Sequence, residues 1–88
     1  MSYTVIISRT VEKQLDALPE KLRLQVLTAI AQLAEMPRPI GVKKLKGEKD
    51  EYRLRFGDYR LRYKINDKEL LILVIQLKHR KDIYRDLK

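Results

Sequence analysis

Five basic side chains recur at alternate positions near the middle of the sequence, and they are the residues best suited to chemistry. The stretch from Tyr52 to Tyr63 reads YRLRFGDYRLRY. Its basic residues, continued by one lysine, are Arg53, Arg55, Arg60, Arg62 and Lys64, which we call the basic face. Alternation with period two is typical of a strand with one buried side. Because arginine contacts phosphate oxygens through paired hydrogen bonds, this pattern predicts a surface for a phosphate backbone.

The two halves of this stretch are expected to fold back on each other at Gly57–Asp58, because glycine permits the positive φ of a two-residue hairpin turn. A tight turn would place Arg55 opposite Arg60 and Arg53 opposite Arg62. Like charges in opposed positions cost roughly 0.2–1 kcal/mol per pair. The apolar residues would share the buried side: Tyr52, Leu54, Phe56, Tyr59, Leu61, Tyr63 and Ile65. Either the face is solvated and merely basic, or it binds an anion.

A second group of polar side chains follows the apolar segment near the C-terminus, in the sequence KHRKDIYR. If that segment is a strand beside the basic face, four side chains would lie at one edge of the same concavity: His79, Arg80, Tyr84 and Arg85. Such a set suits RNA cleavage by the substrate's own 2′-hydroxyl, which needs phosphate binding, charge neutralisation and two proton transfers. Tyr84 could stack on a base, and His79 supplies an imidazole, the side chain most often used for general acid–base catalysis. Each residue also has a simpler interpretation. His79 could be an exposed histidine without a role, Tyr84 could close the edge of the sheet, and the two arginines could be charges that keep the tail soluble.

The net charge of +8 is concentrated in the C-terminal half of the 88-residue chain. Residues 1–42 contain five Lys or Arg against four Asp or Glu, whereas residues 43–88 contain fifteen against eight. This asymmetry indicates an anionic partner, either nucleic acid or an acidic protein. A membrane is not favoured, since the sequence has no basic amphipathic helix with bulky aromatics and no apolar run long enough to span a bilayer.

Composition excludes several other classes of site. The chain has no cysteine and one histidine, so it lacks thiolate, disulfide and clustered-histidine metal sites. Its three glycines are isolated, which excludes a glycine-rich phosphate loop. We therefore expect no metal and no cofactor. A reducing compartment and the lack of a signal peptide at the N-terminus favour a cytoplasmic location.

The N-terminal part of the sequence predicts one strand and two helices. Tyr3–Ser8 is short and β-branched, as strands are. Val11, Leu15 and Leu18 then recur at helical spacing. A second helix begins near Pro19. Its buried stripe is expected to contain Leu22, Leu24, Val26, Leu27, Ile30 and Leu33.

The C-terminal half predicts strands. Val42–Lys46 indicates a short edge strand kept soluble by its lysines, and the arginine-rich hairpin follows. Glu69–Leu77 is continuously apolar, which is typical of a central strand covered on both faces or mostly so. The order of elements predicts one α+β domain over residues 1–88. It would be an antiparallel sheet of about four strands, with an N-terminal helical hairpin packed on one face and a basic, concave opposite face.

Three segments together resemble the RelE branch of the RelE/ParE toxin superfamily. They are KLKG at Lys44–Gly47, YRLRFGDYRLRY at Tyr52–Tyr63 and KHRKDIYR at Lys78–Arg85, and the resemblance extends from Tyr3 to Arg85. It implies a toxin of a type II toxin–antitoxin system that enters the ribosomal A site and cuts the mRNA there as a metal-independent endoribonuclease. The products would be a 2′,3′-cyclic phosphate and a 5′-hydroxyl.

The same resemblance implies roles by position. Arg60 would clamp the scissile phosphate, Arg80 would stabilise or protonate the leaving oxygen, and Tyr84 would stack on the substrate. The other basic residues would hold the RNA: Lys44, Lys46, Arg53, Arg55, Arg62, Lys81 and Arg85.

The general base is the point at which this sequence departs from the family pattern. Some members have lysines at the positions of Arg53 and Arg55, and an arginine does not lose its proton in proteins. His79 is the expected substitute, with Glu51 or charge stabilisation alone as alternatives.

The resemblance also implies partners. These are the ribosome with its mRNA and a cognate RelB-like antitoxin, acidic and encoded by an adjacent gene, that would contact Arg60 or the tail. Two other functions stay open because fold alone does not decide function. ParE-type relatives poison DNA gyrase, and a non-catalytic nucleic-acid-binding module would carry the same basic face.

Overall fold

The computed structural model describes residues 2–45, 47 and 50–79, with Phe56 described in its backbone alone. Five residues that the sequence analysis assigns to the site lie outside this part of the chain: Lys46, Arg80, Lys81, Tyr84 and Arg85. The elements within it are two helices and five strands. Neither described helix is long and apolar enough to cross a membrane.

The first strand and helix follow the sequence pattern. β1 spans Thr4–Ile7 and α1 spans Arg9–Asp16. Ser8 caps the helix, because its hydroxyl accepts a hydrogen bond from the backbone N–H of Val11 at 3.3 Å. Val11 and Leu15 are buried, so the predicted amphipathic spacing is confirmed.

The second helix, α2, spans Glu20–Glu35 and buries a narrower stripe than predicted. Its buried residues are Val26, Ile30 and Leu33. Leu24 and Leu27 are 56% and 37% exposed, so the prediction that they belong to the buried stripe is wrong. Successive side chains are rotated by about 100° around a helix, which turns both leucines away from the side occupied by Val26.

Four further strands complete the sheet. β2 spans Lys43–Lys44, β3 spans Glu51–Phe56, β4 spans Tyr59–Asn66 and β5 spans Leu71–His79. The spatial order is β1-β5-β4-β3-β2. All neighbours are antiparallel except β1 and β5, which are parallel. The predicted α+β fold is confirmed, and all five strands correspond to segments that the sequence predicts as strands. The parallel pairing of β1 with β5 is the one departure from an antiparallel sheet.

The hairpin of β3 and β4 has the predicted register. Arg55 lies opposite Arg60 and Arg53 opposite Arg62. Gly57 in the turn has φ of +55°, a left-handed conformation that favours glycine. Three inward residues of β4 are fully or almost fully buried, Leu61, Tyr63 and Ile65, and the fourth, Tyr59, is partly buried. Leu54 is only partly buried against this core, which differs from the full burial that its alternation predicts.

A bulge interrupts the pairing of β5 with β4. Tyr63 pairs with Val74 and Arg62 pairs with Gln76, so Ile75 is the extra residue. β5 is an interior strand, as predicted, and it is mostly but not wholly covered, since Leu73 is 36% exposed. The helices contact β5 from one side, and the opposite side of the sheet is open within the described chain.

A polar cluster fastens the loop after α2 to the turn between β4 and β5. Arg38 Nη2 lies 2.8 Å from Asp67 Oδ2, and Arg38 Nε donates to the Tyr52 hydroxyl at 3.1 Å. The Tyr3 hydroxyl donates to Asp67 Oδ1 at 2.7 Å. The hydrogen bonds from Arg38 and Tyr3 lower the pKa of Asp67, and the bond to Asp67 raises the pKa of Tyr3. We call Tyr3, Arg38, Tyr52 and Asp67 the arginine clamp.

Candidate nucleic-acid interface

The basic face emerges on the side of the sheet that carries no helix. Leu61 and Tyr63 are fully buried in the core, and the residues that alternate with them point the other way. Cross-strand partners share a face of a sheet, so the basic residues of β3 lie beside those of β4. The arrangement brings together the five cations that the period-two pattern groups.

The edge strand β2 contributes a different lysine from the one expected. Lys43 pairs with Arg53, which places it on the basic face. Lys44 pairs with Tyr52, whose ring is in the core, so Lys44 lies on the opposite side and does not join the arginines. Alternation along β2 explains this orientation. Val42 packs against the core, and Lys44, two residues later, lies on the same side of the strand.

The bulge in β5 brings two more polar residues to this surface. Beyond it, Gln76 pairs with Arg62 and Lys78 pairs with Arg60. Without the extra residue at Ile75, strict alternation from buried Val74 would have turned Gln76 toward the helices. Lys78 was not among the predicted site residues, because a bulge inside an apolar run carries no recognisable sequence signal.

These strands form a groove of about 310 Å3 on the open side of the sheet. We call it the basic groove, and the described residues that line it are Leu45, Arg53, Arg60, Arg62, Gln76 and Lys78. Four of these six side chains are cationic, and no described carboxylate lines the groove. Guanidinium groups arranged in this way can hold a phosphodiester and neutralise charge that develops on it.

Two arginines of the groove, Arg53 and Arg60, have no compensating carboxylate within the described chain. Glu51 pairs with Arg62 and Lys64 at 2.8 Å and 4.0 Å. Among the described carboxylates, none lies within ion-pair distance of Arg53 or Arg60. An arrangement selected for stability alone would alternate acids with bases, because opposed like charges destabilise a sheet.

His79 does not lie with the arginines. It pairs with Tyr59, and the two rings meet edge to face with their centroids 5.0 Å apart. Tyr59 packs against the core, so both side chains lie on the side of the sheet that bears the helices. A cavity of about 420 Å3 there is lined by Leu22, Gln25, Val26, Gly57, Asp58, Tyr59 and His79. The expectation that His79 shares a concavity with Arg60 is therefore wrong, because adjacent residues of a strand alternate between its faces.

Other features of the described chain fit an anion less well. A larger cavity of about 780 Å3 lies past Lys64, but Asp50 and Asp67 are among its lining residues. Across the described ranges, no three His, Asp or Glu side chains are grouped closely enough to hold a metal ion. The basic groove is thus the described site whose charge best fits a nucleic-acid backbone.

The fold and this groove define a class of protein. Residues 5–84 match the family model described as the ParE toxin of type II toxin–antitoxin systems, parDE. The match covers most of the chain, which therefore belongs to this family, within the superfamily that RelE toxins share.

Individual relatives place the chain in the RelE branch. It is 31% identical over 86 residues to Toxin RelG from Mycobacterium tuberculosis, a match that covers 97% of this chain and 99% of the relative. The archaeal RelE–RelB complex from Pyrococcus horikoshii superposes with a TM-score of 0.81 at 38% identity, covering 91% of this chain and 97% of that one. A RelBE toxin–antitoxin complex from M. tuberculosis gives a TM-score of 0.77 at 29% identity, covering 91% of this chain and all of that one (100%). The protein is a toxin of the RelE type.

Proposed function

We propose that residues 1–88 act as one toxin domain that cleaves mRNA in the ribosomal A site and so inhibits translation. The observation that carries this proposal is the basic groove, in which Arg53 and Arg60 converge with no described carboxylate to neutralise them. A polyanion such as an RNA backbone fits such a groove. Because the proposed substrate is on the ribosome, the proposal also implies that the protein is cytoplasmic.

The reaction proposed is transesterification within the RNA. The 2′-oxygen attacks the adjacent phosphorus, the bond from phosphorus to the 5′-oxygen breaks, and a 2′,3′-cyclic phosphate and a 5′-hydroxyl result. The 2′-hydroxyl loses a proton and the leaving 5′-oxygen gains one. The protein must hold the phosphate and stabilise the charge on its oxygens in the transition state.

Arg60 is the residue that we assign to the scissile phosphate, since it lies in the groove between Arg62 and the turn. Arg53 and Arg55 would hold the flanking backbone, and Lys43 and Lys78 extend the same cationic surface. Arg80 and Tyr84 keep the roles that the family resemblance implies, on the leaving oxygen and on a base. The family resemblance also supports three further RNA contacts that we propose: Lys46, Lys81 and Arg85.

The groove contains no good general base among its described side chains. Its arginines do not deprotonate in proteins, Glu51 is buried against two cations, and His79 lies across the sheet. Catalysis would then depend chiefly on orientation and charge stabilisation, and orientation can supply up to about 7–11 kcal/mol. A ribosome holding the mRNA in place would supply that orientation, which is why we propose ribosome-dependent cleavage.

A cognate antitoxin is the second partner that we propose. Relatives in this family have been crystallised as RelE–RelB complexes. An acidic RelB-like chain, encoded by an adjacent gene, would complement the basic groove and hold the toxin inactive. Removing the groove cation in Arg60→Ala together with residues 78–88 should weaken the complex strongly, and equal binding without them would exclude this docking mode.

Poisoning of DNA gyrase is the rival function, because the matching family is named for ParE. One pair of assays separates the two. Primer extension on an mRNA in a reconstituted translation mixture should reveal new 5′-hydroxyl ends, while gyrase supercoiling should be unaffected at the same toxin concentration. Inhibited supercoiling with intact mRNA would establish the gyrase function instead. Tight, salt-sensitive RNA binding without new ends would indicate a binding module.

A further inference from the structure

Glu51 is a buried carboxylate beside the basic groove. Its side chain is 3% exposed, and its Oε2 accepts a hydrogen bond from Arg62 Nη2 at 2.8 Å. Lys64 Nζ lies 4.0 Å from Oε1. A carboxylate is kept charged in such a place only when nearby cations offset its desolvation. Glu51 therefore holds these two cations at its own end of the hairpin.

This contact makes the arginines of the groove unequal. Arg62 lines the groove, but its guanidinium is committed to Glu51 through one nitrogen. Arg53 and Arg60 line the same groove, and within the described chain no carboxylate pairs with either. The groove thus contains one arginine that a carboxylate neutralises, Arg62, beside two that no described carboxylate neutralises, its cross-strand partner Arg53 and its strand neighbour Arg60.

We propose that Glu51 is a positioning residue, which withholds Arg62 from the RNA and confines the phosphate backbone to the two other arginines of the groove, Arg53 and Arg60. This inference rests on the proposed function, because it states where in the groove the cleaved strand lies. A phosphate placed on Arg62 would compete with the carboxylate for one guanidinium and would be repelled by it. An unfavourable contact of this kind excludes one placement of the strand and leaves the productive one.

The variant Glu51→Gln tests the idea, since glutamine keeps the shape and an acceptor oxygen but removes the charge. With Arg62 released, a short single-stranded 2′-O-methyl RNA, which cannot be cleaved, should bind more tightly. The slope of log K against log salt concentration should steepen by about 0.7, the value for one added phosphate contact on a single strand. Ribosome-dependent cleavage should nevertheless slow by about tenfold, because the backbone can now lie out of register with Arg60.

The variant Arg62→Gln provides a second test of the proposal. While Glu51 is intact, Arg62 contributes no phosphate contact, so this variant should leave the salt slope at the wild-type value. In the double variant Glu51→Gln/Arg62→Gln, the slope should return from the steeper value to that of the wild type. This pattern is a coupling between the two residues and does not follow from net charge.

Asp16→Asn is the matched control. Asp16 ends α1 and is exposed, so the variant makes the same change in net charge far from the groove. It should leave both the salt slope and the cleavage rate at wild-type values. Thermal melting of each variant shows whether a lost activity reflects unfolding.

The proposal is overturned if Arg62→Gln alone makes the slope shallower by about 0.7, because Arg62 would then contact phosphate despite Glu51. It is also overturned if folded Glu51→Gln binds and cleaves like the wild type, or loses both affinity and rate together. If Glu51→Gln does not fold, the slope of Arg62→Gln decides alone. If the wild type fails to cleave mRNA on ribosomes, the proposed function fails, and the salt slopes still decide whether Glu51 withholds Arg62.

Discussion

Arginine is used in two different ways at the two ends of this sheet. In the arginine clamp, Arg38 pairs with Asp67 at 2.8 Å, donates to the Tyr52 hydroxyl and lies 5.1 Å from the centre of the Tyr52 ring. In the basic groove, Arg53 and Arg60 stand beside other cations, with no described carboxylate within ion-pair distance. Arginine side chains therefore stabilise the fold at one end of the sheet and destabilise it at the other.

The difference shows how a functional arginine can be recognised physically. Exposed ion pairs contribute about 0–1 kcal/mol, and an arginine over an aromatic ring adds about 0.5–1 kcal/mol. Opposed like charges cost roughly 0.2–1 kcal/mol per pair, and the hairpin has two such pairs, Arg55 with Arg60 and Arg53 with Arg62. Among the described residues, only Glu51 offsets this repulsion. Opposed arginines that destabilise the fold without further compensation indicate that they bind a ligand.

The largest expected effect comes from Arg60→Ala. It should reduce ribosome-dependent cleavage by about 10²–10³-fold, the loss typical for one donor to a developing charge. Its melting temperature should stay within a few degrees of the wild type, because the loss also relieves repulsion by Arg55. Single-turnover cleavage and thermal melting measure the two quantities. Lys21→Ala removes an exposed cation from α2 and should change neither, whereas Arg60→Ala that unfolds would make Arg60 structural.

The opposite result is expected for Arg38→Ala. Losing the Asp67 pair and the contact with Tyr52 should lower the free energy of unfolding by about 1 kcal/mol. Cleavage by the folded variant should match that of the wild type, since the clamp lies away from the groove. Urea denaturation and cleavage at a temperature where both proteins are folded provide the test. A variant of full stability that has lost cleavage would reverse the roles assigned to the two ends.

A smaller effect is expected from pH at the clamp. The pKa of Asp67 is lowered in the folded protein by its hydrogen bonds to Arg38 and Tyr3, so its contribution to stability is complete above the unfolded value of about 3.9. That contribution is lost as the pH falls through the lowered folded pKa. Asp67→Asn should therefore be less stable than the wild type near neutral pH, and the difference in melting temperature should shrink in acid. A difference that is constant from pH 7 to about pH 3 would show that the carboxylate charge plays no part.

Much of the hairpin could be predicted from the sequence, because its period is short and local. Leu61 and Tyr63 are buried, the turn is at Gly57, and Arg55 lies opposite Arg60, as the alternation indicates. The buried side of α2 could be predicted less well. Leu24 and Leu27 are apolar but exposed. Leucines occur on more than one side of this helix, so their positions alone do not determine which side packs against the sheet.

The rest depended on pairing between distant segments. The bulge at Ile75 brings Lys78 into the site, and the register of β2 exchanges Lys44 for Lys43. His79 was expected beside the arginines because it is close in sequence to the strand end, yet alternation turns it to the other face. A site assembled across strands requires the register, which local patterns do not contain.

The central claim is that the groove binds RNA phosphates but lacks the groups to cut RNA without an oriented substrate. One measurement tests it directly: the cleavage rate of one mRNA, free and in a stalled ribosome with an empty A site, at equal toxin concentration. We predict cleavage in the A site of the ribosome, little cleavage of the free RNA, and loss of the ribosomal reaction in Arg60→Ala. Comparable rates on free and ribosome-bound mRNA would contradict the account and indicate a self-sufficient nuclease.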